Sequence, residues 1–272
     1  MIAAIRVFPQ RTSMTPTDDM VFIGDPPLLR PVADKVHVSC TFTWDKPEAE
    51  RLAKAWGQYY DVKLSGPAYD ASCDGFTPGL YVRQGVVFTS RGCNFQCPWC
   101  LVWRREGKLK ELPIVPGNIV QDNNLLQCSF QHLEKVFAML KSQRQIQFSG
   151  GLDSRLLTET IADEIRGLRI AQVFLACDTK EALRPLRQAI HHLNLPREKV
   201  RCYVLLKFNM NETIPDATER MIDVWESGAM PFAQLYQPPD RWIEYSHEWR
   251  QFARTWSRPA AMKAFMREVG KG

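Results

Sequence analysis

From residue 85 onward, short continuous runs of apolar residues alternate with longer stretches whose apolar residues recur every three or four positions. The runs are typical of buried strands, and the periodic stretches are typical of helices with one apolar face. Regular alternation of the two predicts an α/β fold with a parallel sheet and right-handed crossovers. Because only five or six such units fit, we expect a partial, open (β/α)5–6 TIM-like barrel rather than a closed eight-unit one.

The apolar runs predict five strands, at residues 85–90, 146–151, 170–178, 201–208 and 231–237. The periodic stretches predict the helices between them, at residues 130–140, 156–168, 181–193 and 216–227. The partial barrel is therefore expected to occupy residues 85–240, with its chemistry at the carboxyl ends of the strands.

The pattern before residue 85 is different. Residues 1–35 are rich in Pro, Thr and Asp, and we expect an extended, irregular arm there. Residues 36–67 are predicted to form a small β-α-β piece, whose helix begins near Asp45 as the N-cap with Pro47 in its first turn. A loop then leads to the barrel, so residues 1–84 form a small N-terminal α/β subdomain with an arm.

Residues 241–272 are predicted to form a helical extension rich in aromatic side chains. Aromatic residues recur there at spacings of three and four, and would share one face of a helix: Trp242, Tyr245, Trp249, Phe252 and Trp256. Arginines lie between them, and arginine with aromatic rings can bind nucleic acid. Burial against the open side of the barrel is the commoner role of such a face.

The composition is that of a globular protein, since 45% of the 272 residues are hydrophobic and 24% are charged. The formal charge of +5 permits an anionic partner without requiring one. The apolar runs are too short to span a membrane, and the first residues lack the apolar core and cleavage site of a signal peptide. We therefore expect a cytoplasmic, reducing location.

Eight cysteines in such a location favour metal binding or catalysis over disulfides. Three of them, Cys93, Cys97 and Cys100, form a Cys-x3-Cys-x2-Cys motif. A structural zinc site requires four ligands, whereas a [4Fe–4S] cluster held by three thiolates leaves one iron open to another ligand. A zinc loop completed by a distant Cys or His, and cysteines that only fill the core, are the alternatives.

The motif resembles the signature of the radical S-adenosylmethionine (radical SAM) enzymes, CxxxCxxC with an aromatic residue before the last cysteine, here Trp99. In that family the loop follows the first strand of a partial barrel, as it does here after GVVFTS. The resemblance implies that the open iron binds SAM through its amino and carboxylate groups. It also implies that an electron from a donor such as flavodoxin or ferredoxin cleaves SAM to a 5′-deoxyadenosyl radical, which takes hydrogen from an unidentified substrate.

The second predicted strand ends in Ser149, Gly150 and Gly151, followed by Leu152 and Asp153. In the family, a Gly-Gly-Glu-like turn at this place holds the amino group of SAM. Leu152 stands where the acid is usual, so the resemblance implies that Asp153 or backbone carbonyls take that role. Glycine suits such a turn because it lets the backbone approach a ligand closely. A plain strand-to-helix turn is the alternative.

Polar residues also follow the later strands, and barrel-type folds place their chemistry there. The candidates are Cys177, Asp178, Lys207, Asn209, Tyr236 and Gln237. By the resemblance, polar groups at the end of the fourth strand hold the ribose and carboxylate of SAM, so Lys207 and Asn209 are candidates. Gln237 is a candidate for the cofactor site from its position at a strand end, and an ordinary loop residue is the alternative for each. Cys177 is a candidate hydrogen-atom donor or a small buried residue, and Asp178 is a candidate catalytic group or an N-cap.

The polar stretch Asp122–Asn124 would lie near the cofactor if the first crossover folds over it, and a polar turn or helix cap is the alternative. Arg91, two residues before the motif, is placed to screen a negatively charged cluster or to position the loop.

The N-terminal region resembles a shortened form of that found in cobalamin-dependent radical SAM proteins. It is far shorter than a complete cobalamin domain and has no Asp-x-His-x-x-Gly motif, so we expect no cobalamin. Two other functions stay open. One is a radical SAM enzyme that modifies nucleic acid or a nucleotide base, and the other is a non-catalytic iron–sulfur or zinc-binding regulatory protein.

Overall fold

The computed structural model describes residues 4–69, 76–239 and 241–270. The chain divides into two compact units, Met1–Val86 and Val87–Gly272. Each unit combines helices with a sheet of parallel strands, which confirms the predicted α/β class. No helix in the described ranges is long and apolar enough to cross a membrane.

The first unit is built on a four-stranded parallel sheet. Across the sheet, its strands are β2 (Val21–Ile23), β1 (Ile5–Phe8), β3 (Lys35–Ser39) and β4 (Asp61–Ser65). Helix α1 (Lys46–Trp56) connects β3 to β4 and buries Trp56 in the core of this unit. Asp45 is its N-cap residue, as predicted, although the Asp45 side chain makes no capping hydrogen bond.

The prediction of an irregular arm over residues 1–35 is wrong. β1 lies in the interior of the sheet, between β2 and β3, and all four of its residues are buried. Arg6 on this strand forms an ion pair with Asp18 and donates to the carbonyl oxygen of Leu80 at 2.8 Å. A strand this short does not establish a period, and the polar, proline-containing stretch after it dominates the local composition.

The second unit is built on a six-stranded sheet whose neighbouring strands from β8 to β12 are all parallel. Across the sheet, its strands are β12 (Met230–Leu235), β11 (Val200–Leu206), β10 (Ile170–Ala176), β9 (Ile146–Leu152), β8 (Ile119–Val120) and β5 (Val86–Val87). The connecting helices are α3 (Phe130–Lys141), α4 (Glu159–Arg166), α5 (Leu183–Leu193) and α6 (Ile214–Glu226). Because the strands are parallel and adjacent, their carboxyl ends meet at one edge of the sheet.

The first two predicted strands have different bounds in the structure. The strand predicted at 85–90 is divided, because after β5 the chain forms β6 (Ser90–Arg91), which pairs antiparallel with β7 (Lys110–Glu111). β9 continues through both glycines to Leu152 instead of ending at them. β8 has no counterpart in the prediction, since two residues are too few to define a period.

The C-terminal residues form α7 (His247–Ser257) and α8 (Pro259–Glu268). Trp256 is 1% exposed and lies in the core of the second unit, so burial is confirmed for this end of the aromatic stripe. Trp242 and Tyr245 precede α7, so the prediction of one helical stripe over all five aromatic residues is wrong. Trp242 is 59% exposed, whereas Tyr245 is buried.

Candidate functional site

The three cysteines of the motif lie on one loop of the second unit, residues 92–109, which we call the cysteine loop. It connects β6 to β7 and contains the short helix α2 (Val102–Arg105). At Gly92 the φ angle is +82°, and a Cβ there would overlap the carbonyl oxygen of a residue at the far end of the loop. The backbone N–H of Cys93 donates to the carbonyl of Gly107 at 3.1 Å, which closes the base of the loop.

The thiols of the cysteine loop influence one another's ionisation. Burial raises the pKa of Cys97, and the Arg155 cation offsets part of this increase. Burial also raises the pKa of Cys100. The Cys93 thiol adds a smaller contribution that raises both pKa values. In the part of the chain that the structure describes, however, no three His, Cys, Asp or Glu side chains are grouped closely enough to hold a metal ion.

The other cysteines do not extend this group. Four of them are buried, namely Cys40, Cys128, Cys177 and Cys202. Cys73 lies outside the described residues.

The glycine pair of β9 is required by the backbone around it. A Cβ on Gly150 would overlap the carbonyl oxygen of Asp122 and lie 2.8 Å from the Asp122 backbone nitrogen. Gly151 has a φ angle of +90°, which strains any residue with a side chain. The carbonyl of Ser149, just before the pair, accepts a hydrogen bond from the Tyr203 hydroxyl at 3.0 Å. The backbone of Gly150 therefore lies close to that of Asp122, while close approach of the glycine pair to a ligand stays a prediction.

Asp122 is a buried carboxylate, 2% exposed, that fixes the chain just before the cysteine loop. Its Oδ1 accepts from the backbone N–H of Thr89 at 2.7 Å, and its Oδ2 accepts from the hydroxyls of Thr89 and Ser90 at 2.6 and 2.8 Å. Burial raises the pKa of Asp122, and the hydrogen bonds from Thr89 and Ser90 lower it in part.

Asparagine in place of Asp122 is expected to flatten the pH dependence of folding stability. Because burial raises the pKa of this carboxyl, the folded protein binds its proton more tightly than the unfolded chain does. The stability contributed by the protonated Asp122 carboxyl is therefore fully present below the unfolded pKa of about 3.9, and it is lost as the pH rises through the folded pKa. Asparagine has no such proton, so the free energy of unfolding should fall less between about pH 4 and pH 7.

Urea unfolding across this pH range measures the effect. Asp163→Asn, which removes an exposed carboxylate from α4, is the control for the loss of one charge. At neutral pH the Asp122→Asn protein should stay within about 1 kcal/mol of the wild type, because an amide keeps part of the hydrogen bonding. A pH dependence equal to that of the wild type would contradict this account of Asp122.

Asp153, the candidate for the missing acid of the glycine turn, accepts hydrogen bonds from Arg155 and Asn124. Its Oδ1 accepts from the backbone N–H and the Nε of Arg155 at 3.0 and 2.9 Å. Its Oδ2 accepts from Nη2 of Arg155 at 2.6 Å and from the Asn124 amide at 3.4 Å. Arg155 also lies over the ring of Phe95, 4.0 Å from its centroid, and so connects this turn to the cysteine loop.

Trp99 and Asp178 connect the cysteine loop to the end of β10. The indole N–H of Trp99 donates to Oδ2 of Asp178 at 3.1 Å, and the backbone N–H of Leu205 donates to Oδ1 at 3.2 Å. Burial raises the pKa of Asp178, and these two bonds lower it in part. The N-cap alternative for Asp178 is wrong, because the N-cap residue of α5 is Ala182. Cys177 is 5% exposed and belongs to the core.

Lys207, Asn209 and Gln237 make hydrogen bonds within their own loops. The Lys207 ammonium donates to the carbonyl of Glu212 at 3.0 Å, and Oδ1 of Asn209 accepts a backbone N–H two residues further on. The Gln237 amide donates to the carbonyl of Ile243 and accepts its N–H, both at 2.9 Å. Each therefore has a structural role, and no hydrogen bond of the described residues joins any of the three to the cysteine loop.

Phe208 is a residue of this region that the sequence analysis missed. Its ring lies between those of Trp99 and Tyr236, with centroid distances of 5.5 and 5.1 Å, and it is 40% exposed. The three rings form a continuous aromatic surface beside the cysteine loop. The predicted strand 201–208 includes Phe208 as its last residue, whereas β11 ends two residues earlier and leaves this ring at the strand end.

No protein-family model matches the chain, and a search of curated proteins finds no match.

Proposed function

We propose that the chain is a radical SAM enzyme and that its second unit is a partial, open barrel. The main support is the position of the Cys-x3-Cys-x2-Cys motif, on a loop that follows the first strand of the second unit and is bonded to residues at the ends of β9 and β10. A cluster held by the three cysteines would supply one electron for the cleavage of SAM to methionine and a 5′-deoxyadenosyl radical, and an external donor such as flavodoxin or ferredoxin would supply that electron to the cluster.

Cys93, Cys97 and Cys100 are the residues that would hold the cluster. Thiolates are the usual ligands of iron–sulfur clusters, and the three cysteines lie within eight residues of one loop. The cysteine loop contains no fourth cysteine and no histidine that would complete a zinc site, and its one carboxylate, Glu106, is paired with Arg91 at 2.5 Å. The loop therefore offers three thiols and no fourth ligand, which is the donor set that a three-thiolate [4Fe–4S] cluster requires.

The glycine pair of β9 is proposed to lie against the methionine part of SAM. A Cβ on Gly151 would meet nothing nearer than the Tyr203 ring at 3.8 Å, so the backbone of Gly151 is not blocked by a neighbouring backbone as that of Gly150 is. Asp153 already accepts two hydrogen bonds on each carboxylate oxygen, so the ammonium group of SAM would be held by backbone carbonyls instead.

Asp178 and Cys177 receive different roles in this proposal. Asp178 orients Trp99, and with it the last part of the motif, through the hydrogen bond to the indole. Cys177 has a pKa raised by burial to about 11 and is packed in the core, which favours a packing role over donation of a hydrogen atom.

The test is anaerobic reconstitution with iron and sulfide, followed by reduction with dithionite in the presence of SAM. We expect about four irons per chain and the formation of 5′-deoxyadenosine and methionine in equal amounts. A protein with a full cluster that forms no 5′-deoxyadenosine would refute the enzyme. Tight binding of one zinc instead of iron would favour the regulatory metal-binding alternative.

A further inference from the structure

The segment 122–127, shortly after β8, makes side-chain hydrogen bonds to the first residues of the cysteine loop. Oδ1 of Asn123 accepts from the backbone N–H of Gly92 at 3.0 Å. Oε1 of Gln127 accepts from the backbone N–H of Asn94 at 2.7 Å. These two bonds fix the backbone on both sides of the first cysteine of the motif.

Asn124 lies between these two residues in sequence and reaches the thiol itself. Its Nδ2 is 3.7 Å from Sγ of Cys93 and 3.4 Å from Oδ2 of Asp153. The side chain is 6% exposed, and its Oδ1 is buried without a hydrogen-bond partner. Cys93 Sγ and Asp153 Oδ2 are both acceptors, so the Asn124 amide must direct its N–H groups toward them. The flipped orientation of the amide would place its Oδ1 against the Asp153 carboxylate.

We propose that Asn124 is a positioning residue that holds Cys93 and raises the reduction potential of the bound cluster. The inference rests on the proposed function. A hydrogen bond to a cysteine sulfur stabilises negative charge on that sulfur, and one-electron reduction increases this charge. The N–H of Asn124 therefore stabilises the reduced form more than the oxidised form. Because its amide is buried and directed by two acceptors, it is held in this orientation before any ligand binds.

The test compares Asn124→Leu with Asn123→Leu after reconstitution. Leucine has nearly the shape of asparagine and removes the N–H at position 124. The same change at position 123 removes a hydrogen bond to the backbone of the loop but none to a sulfur, which makes it the matched control. The readout is the midpoint potential of the cluster, followed by electron paramagnetic resonance in a titration with dithionite and redox mediators.

For Asn124→Leu we expect the midpoint potential to become more negative, so that the ratio of reduced to oxidised cluster at a fixed potential falls about fivefold. Asn123→Leu should keep the wild-type midpoint. An equal midpoint in wild type and Asn124→Leu, or an equal shift in both variants, would overturn the assignment. Loss of iron from Asn124→Leu alone, with an unchanged circular dichroism spectrum, would support its role in holding Cys93.

Asn124→Asp is the second variant, used if leucine prevents folding. It keeps the shape of the side chain but replaces the donor by a carboxylate, so the fall in the reduced fraction should exceed fivefold. A midpoint at or above the wild-type value would overturn the proposal. Failure of the wild-type protein itself to bind about four irons would instead refute the proposed function, so the two failures are distinguishable.

Discussion

Alanine in place of Cys97 is expected to remove the cluster and to abolish cleavage of SAM. A three-thiolate site has no spare ligand, because the cysteine loop contains only the three cysteines of the motif and no histidine. With two thiolates left, the iron content of the reconstituted protein should fall from about four per chain to below about one. 5′-Deoxyadenosine should fall to the level of a reaction without protein.

Iron and sulfide analysis and chromatography of the nucleoside product measure this effect. Cys202→Ala is the matched control, since this cysteine is fully buried on β11 and belongs to the core. It should keep the full iron content and the wild-type yield of product. Cleavage of SAM by Cys97→Ala at the wild-type rate, or equal loss of iron in both variants, would show that the motif is not the cluster site.

The long strands and helices of the second unit could be predicted from the sequence, because the pattern of apolar residues that defines each one lies within the element itself. β9 to β12 are six- or seven-residue segments rich in apolar residues, and the helices between them repeat their apolar residues over two or more turns. β1 and β8 are too short for such a pattern, and their place in a sheet depends on partners that are distant in sequence. For β1, both partner strands come later in the chain, more than ten residues after it.

In the candidate site, too, features set by neighbouring residues could be predicted from the sequence, whereas contacts between residues distant in sequence could not. The cysteine motif is a spacing within one loop, so it is visible in the sequence. The rule that chemistry lies at strand ends selects an edge of the sheet but not the direction of a side chain. Thus Asp178 bonds to Trp99, whereas its neighbour Cys177 is packed in the core. Asn124 was named only as part of a polar stretch, because its contacts to Cys93 and Asp153 are with residues 31 and 29 positions away in sequence.

Alanine in place of Gly150 is expected to destabilise the protein by at least about 3 kcal/mol, roughly a hundredfold in the unfolding equilibrium. The φ angle of Gly150 is not in the left-handed region, so the expected cost is steric. A Cβ would overlap the carbonyl oxygen of Asp122 and lie 2.9 Å from its carbonyl carbon. This neighbour is backbone, so no side-chain rotation can relieve the overlap.

Asp122 cannot move away freely, because three hydrogen bonds from Thr89 and Ser90 hold its buried carboxylate. Urea unfolding at neutral pH measures the loss of stability. Gly167→Ala is the matched control: this glycine has a φ of −70° at the end of α4, and a Cβ there would meet its nearest neighbour at an ordinary 3.4 Å. The control should be as stable as the wild type or up to about 1 kcal/mol more stable. Equal unfolding midpoints for the two variants would show that the backbones of Gly150 and Asp122 are not in close contact.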